Sequence, residues 1–347
     1  MIVALTLPCA AGAYNFQGLS GEEDNMKIGL HASHEQFAPS HLLDLAVMGR
    51  DAGFESLLSS DHFHPWSVKQ GNSGLSWAWL GAAMAATNLP AGVVCAPGQR
   101  WNPAIIAQAA STLEEMFPQR FFLAVGSGQL LNEGITGGHW PVKHERQDRL
   151  KECVDIIRAL WKGETVTHHG RVCVEGATLY TRPGSALMIF GAAITAQSAR
   201  WVAQWADGLI TISGPRSRMR EVVNAFRDGG GEAKPMILKV QLSYAPDRSE
   251  ALDGAIDQWR APCFDSSVLA MLRTPQQFDM AAEEVSAETI ERNIRISADL
   301  SEHVDWLVED ARMGFSRAIL HNVNRQQERF IEAFGVGVLP QVKGGGA

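Results

Sequence analysis

A carboxylate and two imidazoles crowd into Asp61-His62-Phe63-His64-Pro65-Trp66, directly after a short β-type run. A histidine at a strand's end beside a carboxylate is held in one tautomer and made more basic, which suits a general base. His62 and His64 are also potential metal ligands, but no Cys, Glu or His stands at a convincing spacing to complete a set, so no metal is expected. A hydrogen-bonded structural histidine is the third reading of this hexapeptide. Further along, Gly126-Ser127-Gly128 offers backbone without Cβ atoms to a flat ligand, or is simply a turn. Ala193-Ile194-Thr195-Ala196-Gln197-Ser198 opens a helix, where free N–H groups and hydroxyls suit an anion or form an ordinary N-cap.

Those residues need elements to position them. Eight β-type runs alternate with helical patterns: Lys27 to His31, Ser56 to Ser60, Ala91 to Cys95, Phe121 to Gly126, Leu187 to Gly191, Leu209 to Ile212, Ile237 to Ser243 and Ala318 to His321. Apolar residues at three and four spacing mark the helices, with Leu42, Leu43, Leu45 and Ala46 in one, Ile105, Ile106, Ala109 and Leu113 in the next, and Val154, Ile157 and Leu160 in a third. Pro39 and Pro103 suit first-turn positions, and Asn102 is a good cap. This alternation predicts an α/β fold, either an open doubly wound sheet or a closed (β/α)8 TIM barrel. No G-x-G-x-x-G follows the first run, which argues against a dinucleotide sheet. Polar residues instead follow several runs: His34 and Gln36, Asp61 and His62, Ser127, Gln129 and Asn132, then Thr195 and Ser198. A barrel gathers such residues at its C-terminal mouth. Insertions at Val142 to Leu150, at a Thr165 to Val174 hairpin and at Trp259 to Glu284 are expected to roof that mouth. Residues 26–340 form one domain on this reading. Residues 1–25 read as a disordered extension outside the fold, with a cleaved leader as the other reading, and 341–347 as a flexible tail.

Composition narrows the partners. The chain has 347 residues, 46% hydrophobic and 20% charged, with 30 Lys and Arg against 38 Asp and Glu for a formal charge of −8. No basic cluster offers a footprint for nucleic acid or an anionic membrane, and no apolar stretch approaches the roughly 20 residues of a membrane span. The five cysteines are scattered without a C-x-x-C, so neither a disulfide framework nor a zinc ribbon is indicated. A cytoplasmic protein acting on a small molecule fits this chemistry best, and a homodimer is expected. Trp161, Trp201 and Trp306 read as packing residues, and His168-His169 as a solvated hairpin.

At this point the sequence resembles a family. His31-Ala32-Ser33-His34-Glu35-Gln36-Phe37, Ser60 to Trp66, Arg100-Trp101-Asn102-Pro103-Ala104-Ile105-Ile106-Ala107-Gln108 and Gly126 to Glu133 are together similar to the luciferase-like flavin and deazaflavin oxidoreductases. The nearest branch is that of the glucose-6-phosphate dehydrogenases using coenzyme F420, and the match runs in order from Met26 to about Leu339. The resemblance implies a (β/α)8 barrel with the cofactor ring at the C-terminal mouth. It matches Asp61 and Asn132 to cofactor-contacting residues, His62 to a proton-abstracting histidine, and Trp66 to an aromatic near the reacting substrate oxygen. Val93-Val94 falls where the family makes a non-proline cis peptide behind the ring, although from the residues alone it is a buried strand. Ser127 and Gly128 match the close-approach loop, and Ile194, Thr195, Gln197 and Ser198 the cofactor-phosphate segment.

Three departures limit the transfer. Gln129 stands where the dehydrogenases have an acidic Glu, and an amide cannot donate a proton as a carboxylic acid does. Pro215, the stretch Leu269-Ala270-Met271, and Asn293 stand where basic residues grip a substrate phosphate, so a phosphosugar loses its charge-assisted contacts. Ile194-Thr195 replaces a glycine pair. Arg216, Arg218 and Arg295 read as a solvated face or an alternative anion site. A side branch sharing the His31 to Phe37 and Ala96 to Arg100 runs is expected to use ordinary flavin, which puts FMN ahead of coenzyme F420. The resulting expectation is a dehydrogenase exchanging hydride with a small CH–OH or C=O substrate other than glucose 6-phosphate. A reduced-flavin monooxygenase and a non-catalytic flavin-binding barrel are the alternatives.

Overall fold

A computed structural model describes residues 25–344. All eight β-type runs are strands: β1 Lys27–Ala32, β2 Leu57–Ser60, β3 Ala91–Cys95, β4 Phe121–Val125, β5 Ile189–Ala192, β6 Gly208–Ile212, β7 Met236–Ser243 and β8 Arg317–Asn322. Each pairs in parallel with its neighbours in chain order, β8 pairs with β1, and the ring is closed. The fold is the (β/α)8 barrel. These strands are buried on both faces, which is why they read as continuous apolar runs rather than alternating ones.

Three apolar clusters divide the work. Leu58, Phe122, Ala124, Phe190, Ile210, Ile237 and Ile319 fill the barrel interior. A larger cluster lies between barrel and helices. Glycines make room for the interior rings: a Cβ on Gly92 would stand 2.2 Å from the Phe122 ring, and one on Gly208 would stand 2.4 Å from that of Phe190. The third cluster, with Trp66, Leu131, Trp259, Phe278 and Ile290, packs the segment over the mouth.

The helices follow the expected periodicity. Pro39–Asp51 and Pro103–Met116 both open on proline, and Asn102 caps the second by accepting from the Ala104 N–H at 2.9 Å. The hairpin pairs Val166–His169 with Cys173–Ala177, and a short strand, Arg295–Ile296, adds to β7. Two expectations need correction. Val142 to Leu150 is no separate insertion, because nearly all of it belongs to the helix Lys143–Trp161. The expected tail is helical as far as the description reaches, in Leu339–Gly344, with Val342 buried among the barrel's outer helices. Asn25 also joins the fold by donating to the Lys343 carbonyl. The rest of the expected N-terminal extension and residues 345–347 lie outside the described residues. No helix among the described residues is long and apolar enough to cross a membrane.

Candidate active site

The loops after β2, β3, β4 and β5 and the roof segment enclose a cavity of about 500 Å3. Its walls include Asp61, His62, Val94, Ser127, Gly128, Gln129, Asn132, Ile194, Thr195 and Ser198, so most of the residues singled out in the sequence meet there. Leu269, Ala270 and Met271 supply an apolar part of the roof. The roof is tied to β4's loop, since Leu130 N–H and Trp140 Nε1 both donate to the Ala270 carbonyl.

His62 has a carboxylate partner, but it is not Asp61. Its Nδ1 lies 2.5 Å from Oε1 of Glu35, a buried side chain in the loop after β1. Glu35 Oε2 accepts from Ser33 Oγ at 2.9 Å. Burial pushes the Glu35 carboxyl up, but the hydrogen bond and charge of His62, together with the charge of Lys239, hold it below the ordinary carboxylate range. The ionised carboxylate fixes Nδ1 as the protonated nitrogen and leaves Nε2 as the one free to accept a proton. The sequence signal for Glu35 was available in principle: it follows β1 as His62 follows β2, and a barrel brings those two loops together.

Asp61 turns the other way. Its Oδ2 accepts from Arg100 Nη2 at 2.9 Å and Trp101 Nε1 at 2.6 Å. Arg100 in turn lies 3.5 Å from Glu133, whose carboxyl is raised by burial against the lowering influence of Arg100. Asp61 Oδ1 is buried with no partner among the described residues and belongs to a cavity wall. An orphaned acceptor of this kind is satisfied by an N–H on a bound ring. Gly128, at φ +77°, carries the close approach, because a Cβ there would stand 2.9 Å from Glu133 Cγ. Thr195 caps the helix Ala196–Ala203 by accepting from the Ser198 N–H, and both residues face the cavity. A flavin-type ring with an anionic side arm therefore fits the donors and acceptors present.

Two basic residues at this cavity escaped the sequence reading. Lys143 and Arg146 line it from the first turn of Lys143–Trp161. Arg146 is 5% exposed, stacks 4.7 Å over the Trp140 ring, donates from Nη1 to the Pro141 carbonyl, and leaves Nε unpartnered among the described residues. A buried guanidinium without a carboxylate is a receptor for an anion.

Other expectations shift. Trp66 meets the His62 ring edge-on at 5.3 Å and packs on Phe278, but is not among the cavity walls. Its ring contact at the site is with the base, His62. Gln197 is exposed and points away, since the helix turns it outward between Thr195 and Ser198. Val93 is fully buried behind Val94, and no cis peptide bond occurs among the described residues, so the expected cis bulge is replaced by ordinary strand pairing with β2 and β4. Asn132 spends its Oδ1 on the Phe63 and His64 N–H groups, latching the His62 loop to the loop after β4. Arg216 pairs with Glu309, and Arg295 makes a two-point contact with Asp310 at 2.6 and 2.8 Å. Those arginines are committed to structure. No group of three or more His, Cys, Asp or Glu among the described residues is placed to hold a metal ion.

Residues 25–317 match the family described as luciferase-like monooxygenase. The chain belongs to the luciferase-like family. It is 33% identical over 329 residues to a protein named F420-dependent glucose-6-phosphate dehydrogenase from Microbacterium testaceum, covering 92% of this chain and 98% of the relative. A protein of the same name from Nakamurella multipartita is 34% identical over 329 residues, covering 92% and 97%. Among solved structures, an F420-dependent secondary alcohol dehydrogenase in complex with an F420-acetone adduct superposes with a TM-score of 0.86 at 29% identity, over 92% of this chain and 99% of that one. This luciferase-like chain is an oxidoreductase.

Proposed function

We propose that this chain is a dehydrogenase dependent on coenzyme F420 that acts on a neutral secondary alcohol or the corresponding ketone. The observation that carries the reading is the His62 imidazole, oriented by Glu35 at Nδ1 and opening onto the cavity beside Gly126 to Gln129. The names of the relatives support the deazaflavin, which reverses the order of FMN and coenzyme F420 suggested by the side-branch resemblance. Bound there, the deazaflavin supplies a ring carbon that takes hydride from the substrate carbon.

The protein's own residues do the rest. His62 Nε2 takes the hydroxyl proton as the carbon–hydrogen bond breaks, and Glu35 balances the positive charge that develops on the ring. Asp61 Oδ1 would accept from the cofactor ring, while Arg146, Lys143 and the Thr195–Ser198 turn would hold its anionic arm. Leu269, Ala270 and Met271 give the cavity roof an apolar lining at positions where the resemblance expects basic residues. That lining favours a neutral substrate over a sugar phosphate.

Two measurements test the reading. Mass analysis of the cofactor released from protein made in its own host is expected to give the deazaflavin. A competition assay is expected to show saturable oxidation of small secondary alcohols with glucose 6-phosphate a poor competitor. Bound FMN with oxygen uptake would replace the proposal by a monooxygenase, and preferential oxidation of glucose 6-phosphate would overturn the substrate class.

A further inference from the structure

Above the apolar filling of the barrel lies a second, polar layer. Ile237 belongs to the interior cluster, and side chains alternate along a strand, so Lys239 and Gln241 on β7 face inward as well. The same alternation turns His321 of β8 inward beyond Ile319. The rings of His31 and His321 stand 4.6 Å apart, and His321 meets Trp259 at 4.5 Å. Lys239 Nζ lies 6.0 Å from the centre of that Trp259 ring. His321 Nε2 is held by Gln36 at 3.0 Å, next to Glu35 in sequence. Lys239 Nζ makes no hydrogen bond to a described residue, although part of the side chain remains accessible. A lysine inside a barrel needs a compensating charge, and the carboxylate it senses is Glu35.

We propose that Lys239 is a positioning residue for the Glu35–His62 pair, its ammonium an interior positive charge that adds to His62 in holding Glu35 as a carboxylate and tunes how tightly the pair holds a proton. The proposal rests on the reading of His62 as the base and adds a residue on β7, three strands round the ring from the β2 that precedes His62. Burial lowers Lys239 to about 8 while Glu35 pulls it up, so the ammonium is charged near neutral pH and lost as pH rises through that value. The other groups facing this ensemble are accounted for. His31 and His321 are driven well below the usual imidazole range, first by burial and then by Lys239, and His34 is lowered by burial against the pull of Glu35 and Asp61. These imidazoles are neutral near pH 7, which leaves Lys239 as the positive charge opposite Glu35 besides His62 itself.

The sign of the effect is fixed by electrostatics. With Lys239 in place, its charge offsets that of Glu35 and opposes a further proton on His62. Remove it, and the uncompensated carboxylate draws a proton onto the pair at higher pH.

The test reads the imidazole directly, so it stays decidable if no substrate is turned over. The full chain is labelled at histidine Cε1, the His62 signal is assigned among the 11 histidines by its loss in His62→Ala, and its titration is followed below the Lys239 midpoint of about 8. In Lys239→Met the His62 midpoint is expected to rise by about 1 pH unit, and in Lys239→Arg, which keeps the charge, to return to the wild-type position. An unshifted midpoint in folded Lys239→Met, or an equal shift in both variants, would overturn the proposal. Should Lys239→Met not fold, the double variant Glu35→Gln/Lys239→Met, with both charges gone, is expected to regain the fold. A double variant as unfolded as the single one counts against the pairing.

Discussion

Glu35 Oε1 and His62 Nδ1 meet at 2.5 Å across 27 positions of sequence, joining the loops that leave β1 and β2. A base oriented this way loses two separable things on mutation. His62→Ala removes the proton acceptor and is expected to lower kcat by roughly 100- to 10,000-fold while cofactor affinity stays within a few-fold. Glu35→Gln keeps an oxygen that can accept from Nδ1–H but loses the charge, so a fall on the order of 100-fold is expected. The acid limb of kcat/KM should also move to lower pH, because the imidazolium has lost its counter-charge. Steady-state kinetics with a cofactor titration check both. Turnover in His62→Ala close to wild type would make this histidine structural.

Arg146 is expected to act through binding rather than rate. Its guanidinium is buried at the cavity wall with Nε free, and a charged hydrogen bond to an anion contributes about 1.5–3 kcal/mol. Arg146→Gln should therefore weaken cofactor binding by about 10-fold or more and flatten its salt dependence. Fluorescence titrations of wild type and variant at low and high salt decide the matter. Equal affinities would assign Arg146 to holding the Trp140 loop alone.

Acid is expected to destabilise the fold before the carboxylates titrate. His303, packed between Tyr244 and Phe334 and bonded through Nε2 to the Ser297 carbonyl, is lowered from 6.5 to about 4, chiefly by burial. The unfolded chain then binds protons the native state refuses, so stability falls as pH drops from about 6.5 through about 4. His31 and His321 act in the same direction, and so does the depressed Glu35, whose contribution is lost in stronger acid. Glu133, raised by burial, opposes them. Urea midpoints measured from neutral pH down to about pH 5 should decline, and less steeply in His303→Gln. A flat profile in wild type would refute the assignment.

The barrel was legible because its strands are buried on both faces and its helices on one, so strand and helix differ in apolar period. Much of the cavity was legible for a related reason, since residues that follow strands converge at one mouth wherever the strands are found. What failed depends on orientation. Asp61 is adjacent to His62 in sequence, yet neighbouring side chains at a strand's end diverge, and Asp61 goes to Arg100 while His62 reaches Glu35. Gln197 lies between two cavity residues, but a helix rotates it outward. Arg146 sits in a stretch read as an insertion, and only the helix Lys143–Trp161 shows that its first turn abuts the cavity.

Gln129 offers the sharpest separation of the two cofactors. It lines the cavity at the start of the short helix Leu130–Glu133, and its Oε1 accepts from Asn132 Nδ2 at 3.4 Å. Asn132 cannot turn away, because its Oδ1 is engaged by the Phe63 and His64 N–H groups at 2.8 and 3.0 Å. A Glu at this position keeps the oxygen that Asn132 requires, so Gln129→Glu is expected to fold as wild type does. With the deazaflavin, the variant should turn over faster, by about 10-fold or more, since it regains a proton donor. With FMN it should bind more weakly or reduce more slowly, because a carboxyl group that ionises beside a developing negative charge is repulsive. Both cofactors are measured in both proteins by rapid mixing. Faster FMN reduction in the Glu variant, with no gain for the deazaflavin, would show that position 129 does not act on the ring in this way.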